Sequence, residues 1–282
     1  MIMSICIIGA GTMGSGIALV AAQGGFATTL FDVNATMLDK AATVIKANLD
    51  FLIIKQKVSA VEALSIFSRI NFVSDIQKCK ADLLIEAIIE NAAAKIELFN
   101  MLASVNDENA IFASNTSSLS ISTLQASISH PERVVGMHFF NPAPVMKLVE
   151  VVKGEQTPDA VAQTVYNVCK QLNKTPVLCK DAPGFIVNRV ARHYYLEAMK
   201  IVEQGIASIE NVDAVMEATG FKMGPFKLMD LIGLDINLSV SQGLYEAFEN
   251  APRFKPAAMQ IDKVAKGALG KKSGKGFYEY LD

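Results

Sequence analysis

The stretch Ile5-Cys6-Ile7-Ile8-Gly9-Ala10-Gly11-Thr12-Met13-Gly14 decides the fold. Four apolar residues run straight into a G-x-G-x-x-G turn, and helical spacing follows from Thr12 to Gln23 until Gly24-Gly25 stops it. A short unbroken apolar run reads as a strand buried on both faces. In such a strand–turn–helix unit Gly9 makes the tight turn, Gly11 lets a pyrophosphate approach the backbone, and Gly14 lets helix and strand pack closely. Thr12, Met13 and Gly14 open the helix, whose N–H groups and dipole favour phosphate. The next predicted strand, Ala27 to Phe31, ends at Asp32. An acid at that spacing grips a ribose 2′-hydroxyl and repels a 2′-phosphate, so the expected cofactor is NAD rather than NADP. A glycine turn used only for packing would need no such acid.

No charged residue precedes Asp32, which invites confusion with a signal peptide or membrane span. The segment lacks a positive n-region, however, and six glycines interrupt it (Gly9, Gly11, Gly14, Gly16, Gly24 and Gly25), so it reads as a buried βα unit. The whole chain has 282 residues, 51% hydrophobic and 19% charged, enough to bury a sizeable core in two domains. Lys plus Arg number 26 against 28 Asp plus Glu, so no global basic field points to nucleic acid. Cys6, Cys79, Cys169 and Cys179 are scattered without a C-x-x-C pair. Neither a disulfide frame nor a metal site is expected, and a reducing cytoplasm fits best.

Leu83 to Ala87, Ile111 to Ser114, Val134 to His138 and Leu148 to Val152 are further short apolar runs. Helical spacing runs from Ala35 to about Lys55 and from Ala92 to Leu102. Strands alternating with helices predict right-handed crossovers and a mostly parallel, doubly wound α/β sheet. After about Asp181 the strands disappear. Asp181-Ala182-Pro183 predicts a helix start, Gly205 the helix end, and shorter helices follow from Ile209, Lys227, Ile236 and Ala257. The expected organisation is a Rossmann-type NAD-binding domain over residues 1–183 and an all-helical domain over 184–282.

Only His130, His138 and His193 could serve as an imidazole base near neutral pH. His130 precedes Pro131 in a polar loop, and His193 lies within a helix. His138 ends an apolar strand and enters Phe139-Phe140-Asn141-Pro142, at the sheet edge where ligands of open α/β folds bind. Glu150 interrupts the apolar run Leu148-Val149-Glu150-Val151-Val152, where a lone buried carboxylate is costly. It must be exposed, protonated or paired. Paired with His138 it would hold the imidazole in one tautomer and support its charge. Ser114-Asn115-Thr116-Ser117-Ser118 follows another strand, and its hydroxyls could bond a substrate oxygen or simply cap the helix near Ser120 and Ser122. No nucleophile elbow accompanies them, so hydrolysis is not indicated. Asn188 stands in the first turn of the long helix, a weak position on propensity alone.

Together Gly9 to Gly14, Ser114 to Ser118, His138 to Pro142, Pro144-Val145-Met146-Lys147-Leu148-Val149-Glu150 and Pro183-Gly184-Phe185-Ile186-Val187-Asn188-Arg189 closely resemble the 3-hydroxyacyl-CoA dehydrogenases, above all the bacterial 3-hydroxybutyryl-CoA branch. The likeness runs to the closing Gly274-Lys275-Gly276-Phe277-Tyr278. Because the chain opens at the Rossmann strand, a stand-alone dehydrogenase is expected rather than the larger multifunctional enzyme with a hydratase domain. The resemblance implies that His138 is the general acid/base for a 3-hydroxyl and that Glu150 orients it. It implies that Ser117 and Asn188 bond the reacting oxygen or the thioester, and that Asn141 seats the nicotinamide ribose. It implies further cofactor contacts at Glu90, Lys95 and Lys272. Lys55, with Lys57 and Asn48 as weaker candidates, would meet coenzyme A; some bacterial relatives carry another lysine one turn earlier, where this chain has Phe51. An acyl-CoA substrate and a homodimer built by the helical domain complete the implication. The rival readings are a CoA-independent, gulonate-type sugar-acid dehydrogenase and a dinucleotide-binding protein without catalysis, which would have no use for both His138 and Glu150.

Overall fold

The computed structural model describes residues 2–280, and the chain divides into two compact units, Met1–Ala182 and Pro183–Asp282. In the first unit β1 (Ser4–Ile8) leads through α1 (Thr12–Gln23) to β2 (Ala27–Phe31). The helices α2 (Ala35–Ile54) and α3 (Ala60–Ser68) then lead to β3 (Ile70–Val73), followed by β4 (Leu83–Glu86), α4 (Ala92–Val105) and β5 (Ile111–Ser114). A short α5 (Ile121–Gln125) precedes β6 (Val134–Phe139) and β7 (Leu148–Lys153), and α6 (Asp159–Gln171) leads to β8 (Thr175–Lys180). The eight strands form one sheet ordered β3-β2-β1-β4-β5-β6-β7-β8. Every pairing is parallel except β6 with β7. The chain reverses its direction of travel across the sheet between β1 and β4, and a crevice at such a switch point is where open α/β sheets bind ligands.

The central strands β4, β5 and β6 are buried along their whole length, which is why their sequences are unbroken apolar runs. The two strands absent from the sequence expectation lie at the edges. In β3 one residue of four is exposed, and in β8 Thr175, Leu178 and Lys180 are exposed and only Pro176, a residue that edge strands tolerate, is buried. Helix α3 was likewise unread, although Ser59-Ala60-Val61-Glu62 carries a capping signature; Ser59 Oγ accepts from Glu62 N at 3.1 Å. Helix α6 follows Thr157-Pro158-Asp159 and buries Ala162, Val165, Val168 and Cys169.

The second unit is helical: α7 (Val187–Glu203), α8 (Ile209–Ala218), α9 (Pro225–Ile232), α10 (Leu234–Ala247) and α11 (Ala258–Ala265). Its core joins Tyr195, Leu196, Met199, Phe226, Met229 and Leu234. Buried Asp230 accepts the backbone N–H groups of Phe277 and Tyr278, both at 2.9 Å, which pins the closing Gly274–Tyr278 motif to α9. The expected helix start at Asp181-Ala182-Pro183 is corrected. Gly184 (φ +73°) and Phe185 (φ +48°) are left-handed, so the helix opens only at Val187. Asp181 instead accepts from Ser120 Oγ (2.7 Å) and Ser122 N (2.8 Å), at the start of α5. Asn188 still falls in the first turn of α7.

Gly14 is the most crowded glycine of the first unit, because a Cβ there would stand 1.7 Å from Gly9 O. Gly14→Ala therefore cannot be absorbed by a rotamer change, and overpacking this close costs ~3 kcal/mol, the upper end of the usual range. Thermal unfolding should show Tm lowered by ~6–12 °C. A Tm within ~2 °C of the parent would refute the close approach of α1 to β1.

Candidate active site

The glycine turn is built as a cradle. Gly9 sits at φ +102°, and a Cβ there would lie 2.7 Å from Ala87 O. At Gly11 an added Cβ would meet nothing within 4 Å, so the backbone faces open space at the start of α1. That helix begins without a side-chain cap, leaving its first turn suited to an anion. Asp32 closes the turn from β2: Oδ2 accepts from Ala10 N at 2.8 Å and Oδ1 from Asn34 N at 2.9 Å. Each carboxylate oxygen keeps a second lone pair for a hydroxyl. Gly11 and Thr12 also line a cleft of about 380 Å³ whose other walls are α2, including Lys40 and Asn48, and the turn after β6, including Asn141 and Pro144. Gly9, Gly11, Thr12 and Asp32 fit a dinucleotide's pyrophosphate and ribose.

The antiparallel pairing of β6 and β7 puts His138 directly opposite Glu150. Nδ1 of His138 lies 2.8 Å from Glu150 Oε2. His138 is 6% and Glu150 1% exposed, so the pair is withdrawn from water and the hydrogen bond fixes the ring. The Phe140 ring packs on the imidazole with centroids 4.4 Å apart. Cys179 on β8 feels the same carboxylate: burial, then the charges of Glu150 and Asp181, push its thiol up to about 12.

The Ser114–Ser118 turn is organised by two glutamates. Glu86, fully buried at the end of β4, accepts from Ser114 Oγ at 2.7 Å, from Ile88 N at 2.7 Å and from Lys95 Nζ at 2.5 Å. Lys95, 1% exposed, reaches Glu90 as well at 3.2 Å. Glu90 Oε1 accepts from Thr116 Oγ1, from Ser117 N at 3.0 Å and from Ser118 Oγ at 3.0 Å. Burial alone would raise the Glu90 pKa, but the Lys95 charge and these hydrogen bonds outweigh it and hold the carboxyl below its usual range. Asn115 Oδ1 accepts from Phe139 N at 2.8 Å, joining this turn to the end of the His138 strand.

The expected residues therefore fall into groups. Gly9, Gly11, Thr12, Met13, Gly14 and Asp32 share one turn; His138 and Glu150 form one pair; Ser117, Glu90 and Lys95 belong to one network. Asn141 is exposed just past β6. Asn48 donates to Val44 O at 2.8 Å, and Lys55, at the end of α2, stands over the Phe51 ring at 5.5 Å. Lys57 is exposed two residues on. Asn188 and Lys272 lie in the second unit, where Lys272 Nζ donates to Asp235 Oδ2 at 2.7 Å. The sequence reading missed Glu86, Asn115 and Lys40. Glu86 had the same signal as Glu150, a carboxylate inside an apolar run.

No helix among the described residues is long and apolar enough to cross a membrane. Residues 4–182 match the NAD binding domain of 3-hydroxyacyl-CoA dehydrogenase, and residues 184–280 match that enzyme's C-terminal domain. The chain is 44% identical over 281 residues to 3-hydroxyadipyl-CoA dehydrogenase of Escherichia coli K12, covering 99% of this chain but 59% of that longer protein. It is 40% identical to a probable 3-hydroxybutyryl-CoA dehydrogenase of Deinococcus radiodurans, covering 99% of this chain and all of the other. The crystal structure of (S)-3-hydroxybutyryl-CoA dehydrogenase from Ralstonia eutropha superposes with a TM-score of 0.96 at 39% identity, over the full length of both chains. With both domains matched in order, the chain belongs to the 3-hydroxyacyl-CoA dehydrogenase family, whose N-terminal unit binds NAD.

Proposed function

We propose that the protein interconverts (S)-3-hydroxyacyl-CoA and 3-oxoacyl-CoA, with 3-hydroxybutyryl-CoA as the natural small substrate. The observation that carries this reading is the buried His138–Glu150 pair, set at the same sheet edge as the glycine turn. Bound NAD supplies the hydride acceptor in oxidation. Nδ1–H of His138 donates to Glu150, so Nε2 is the ring's basic nitrogen. That nitrogen takes the proton of the 3-hydroxyl as hydride leaves C3, and returns it in reduction. Glu150 stabilises the imidazolium that forms and keeps the tautomer correct. Ser117, held by Glu90, and Asn188 bond the oxygen at C3 or the thioester carbonyl. Glu90, Lys95, Asn141 and Lys272 serve the cofactor side, and Asp32 selects NAD by repelling a 2′-phosphate.

Lys55, with Lys57 and Asn48, meets the phosphates of coenzyme A, an exposed site suited to a strongly hydrated anion. The first unit holds the cofactor and the second the acyl chain and the dimer contact. Leu231, Ile232 and Ile236, exposed around the α9–α10 junction, offer an apolar face for a second copy. All four cysteines are free thiols, which suits a cytoplasmic location.

NADH consumption should proceed with acetoacetyl-CoA and not with free acetoacetate, and His138→Gln should lower kcat by ~10²-fold or more. Equal turnover of the free acid would favour a sugar-acid type of enzyme, and an unchanged mutant would remove His138 from the chemistry. Glu150→Gln should lower kcat by ~10²-fold while the NADH dissociation constant moves less than ~threefold, because the carboxylate acts through the imidazole. A loss confined to NADH binding would contradict that role.

A further inference from the structure

The Asn141–Met146 turn, one wall of the cleft, is held from within by a buried ammonium. Lys174, in the short link between α6 and β8, is 8% exposed. Its Nζ donates to Ala143 O at 2.5 Å and to Met146 O at 2.8 Å. The turn also closes on itself, with Val145 N and Met146 N both donating to Pro142 O. Its outer side lies against α1, where a Cβ on Gly16 would stand 3.2 Å from both Ala143 Cβ and Pro144 Cδ. The turn is thus seated between an ammonium and a bare stretch of helix.

Among the described residues no carboxylate forms an ion pair with Lys174. Burial and then the nearby Lys147 charge lower its pKa to about 8, and the Cys169 thiol opposes them. An ammonium buried without a counter-charge is an expensive way to fill a buried position. What it gains is two carbonyls fixed at defined points, through charge-assisted bonds that hold better than neutral ones. Both carbonyls belong to the segment that presents Asn141, Pro144 and Val145 to the cleft.

We propose that Lys174 is a positioning residue: its ammonium clamps the Asn141–Met146 turn against α1 and so sets the width of the ligand cleft. This rests on reading the cleft as the dehydrogenase's ligand site. The test uses the full chain with Lys174→Met, Lys174→Arg and Gly16→Ala. The readouts are NADH binding by fluorescence titration, the KM for acetoacetyl-CoA, and Tm. Lys174→Met should weaken one of the two ligand constants on the order of tenfold, measured well below its Tm, since small displacements of positioning groups are costly. Lys174→Arg, which keeps the charge, should recover part of the loss. Gly16→Ala pushes the turn from the opposite side, its Cβ 3.2 Å from Ala143 Cβ and Pro144 Cδ, and should weaken the same ligand. Both constants within twofold of wild type in Lys174→Met and Gly16→Ala, with only Tm lowered, would make the ammonium a plain core contact and overturn the proposal. Should Lys174→Met not fold, Lys174→Gln, which keeps a donor without the charge, takes its place in the same titrations and is held to the same twofold limit. NADH binding does not depend on the acyl-CoA reading, whose own failure would show as wild-type NADH binding without acyl-CoA turnover.

Discussion

One change of strand direction governs the site. β6 and β7 pair antiparallel in an otherwise parallel sheet, and that pairing sets His138 opposite Glu150. A parallel neighbour would need a crossover of a dozen or more residues, whereas an antiparallel one can be reached by a short turn. The segment from Phe140 to Lys147 is that turn, and it lies where the parallel strands end. The same reversal therefore delivers two things: a cross-strand imidazole–carboxylate pair, and a chain segment that walls the cleft beside the glycine turn. β8 then runs parallel to β7 by way of α6, so β7 is covered by a strand on each side. Glu150 on this interior strand is 1% exposed, and the imidazole opposite answers its charge.

The same rule, that a buried charge must be answered, shapes the neighbouring turns. Glu86 and Glu90 share the single ammonium of Lys95, which leaves the trio one negative charge in excess. The excess is met by hydrogen bonds from Ile88 N, Ser114 Oγ, Ser117 N and Ser118 Oγ, and these bonds are what fold the serine-rich turn. Lys174 is the converse case, one positive charge answered only by carbonyl dipoles. In each case the charge sits beneath a turn at the sheet's ligand-binding edge, where backbone groups leave the ladder and have no strand partner. Charge at this edge takes over the ordering that hydrogen-bonded strands provide elsewhere.

What was legible in the sequence follows from burial. Strands with apolar side chains on both faces announced themselves, and so did the glycine turn and its acid, because each position admits few residue types. β3 and β8 escaped notice because an edge strand is half solvated and its sequence is mixed. The start of α7 was misplaced because Asp181-Ala182-Pro183 satisfies a local capping rule, while the competing bonds to Ser120 and Ser122 come from residues about sixty positions away. Long-range demand overrode a correct local preference. The His138–Glu150 pairing could be argued from the cost of burying Glu150 alone. Glu86, inside the run from Leu83 to Ala87 and fully buried, carries the same signal, but its partner Lys95 comes from a helix and not from a facing strand.

The geometry also separates the residues that the family likeness assigns to the cofactor. Lys95 has three donors, and two are directed at Glu86 and Glu90 in a site almost closed to solvent. At most one donor is left for a ligand, so its larger effect is exerted through the groups it holds. Glu90 is different: with its side chain 37% exposed, it is the member of the trio that presents surface. Gly11, Thr12 and Asn141 present surface too, and each sits on an element whose position is fixed from behind, by Asp32 for the glycine turn and by Lys174 for the turn after β6. Lys95 and Lys174 thus act as support alone, whereas Asp32 and Glu90 both brace a turn and keep surface for a ligand. Removing a contact residue costs one interaction with the ligand, whereas removing a supporting charge displaces a whole turn and leaves its partners buried and unanswered.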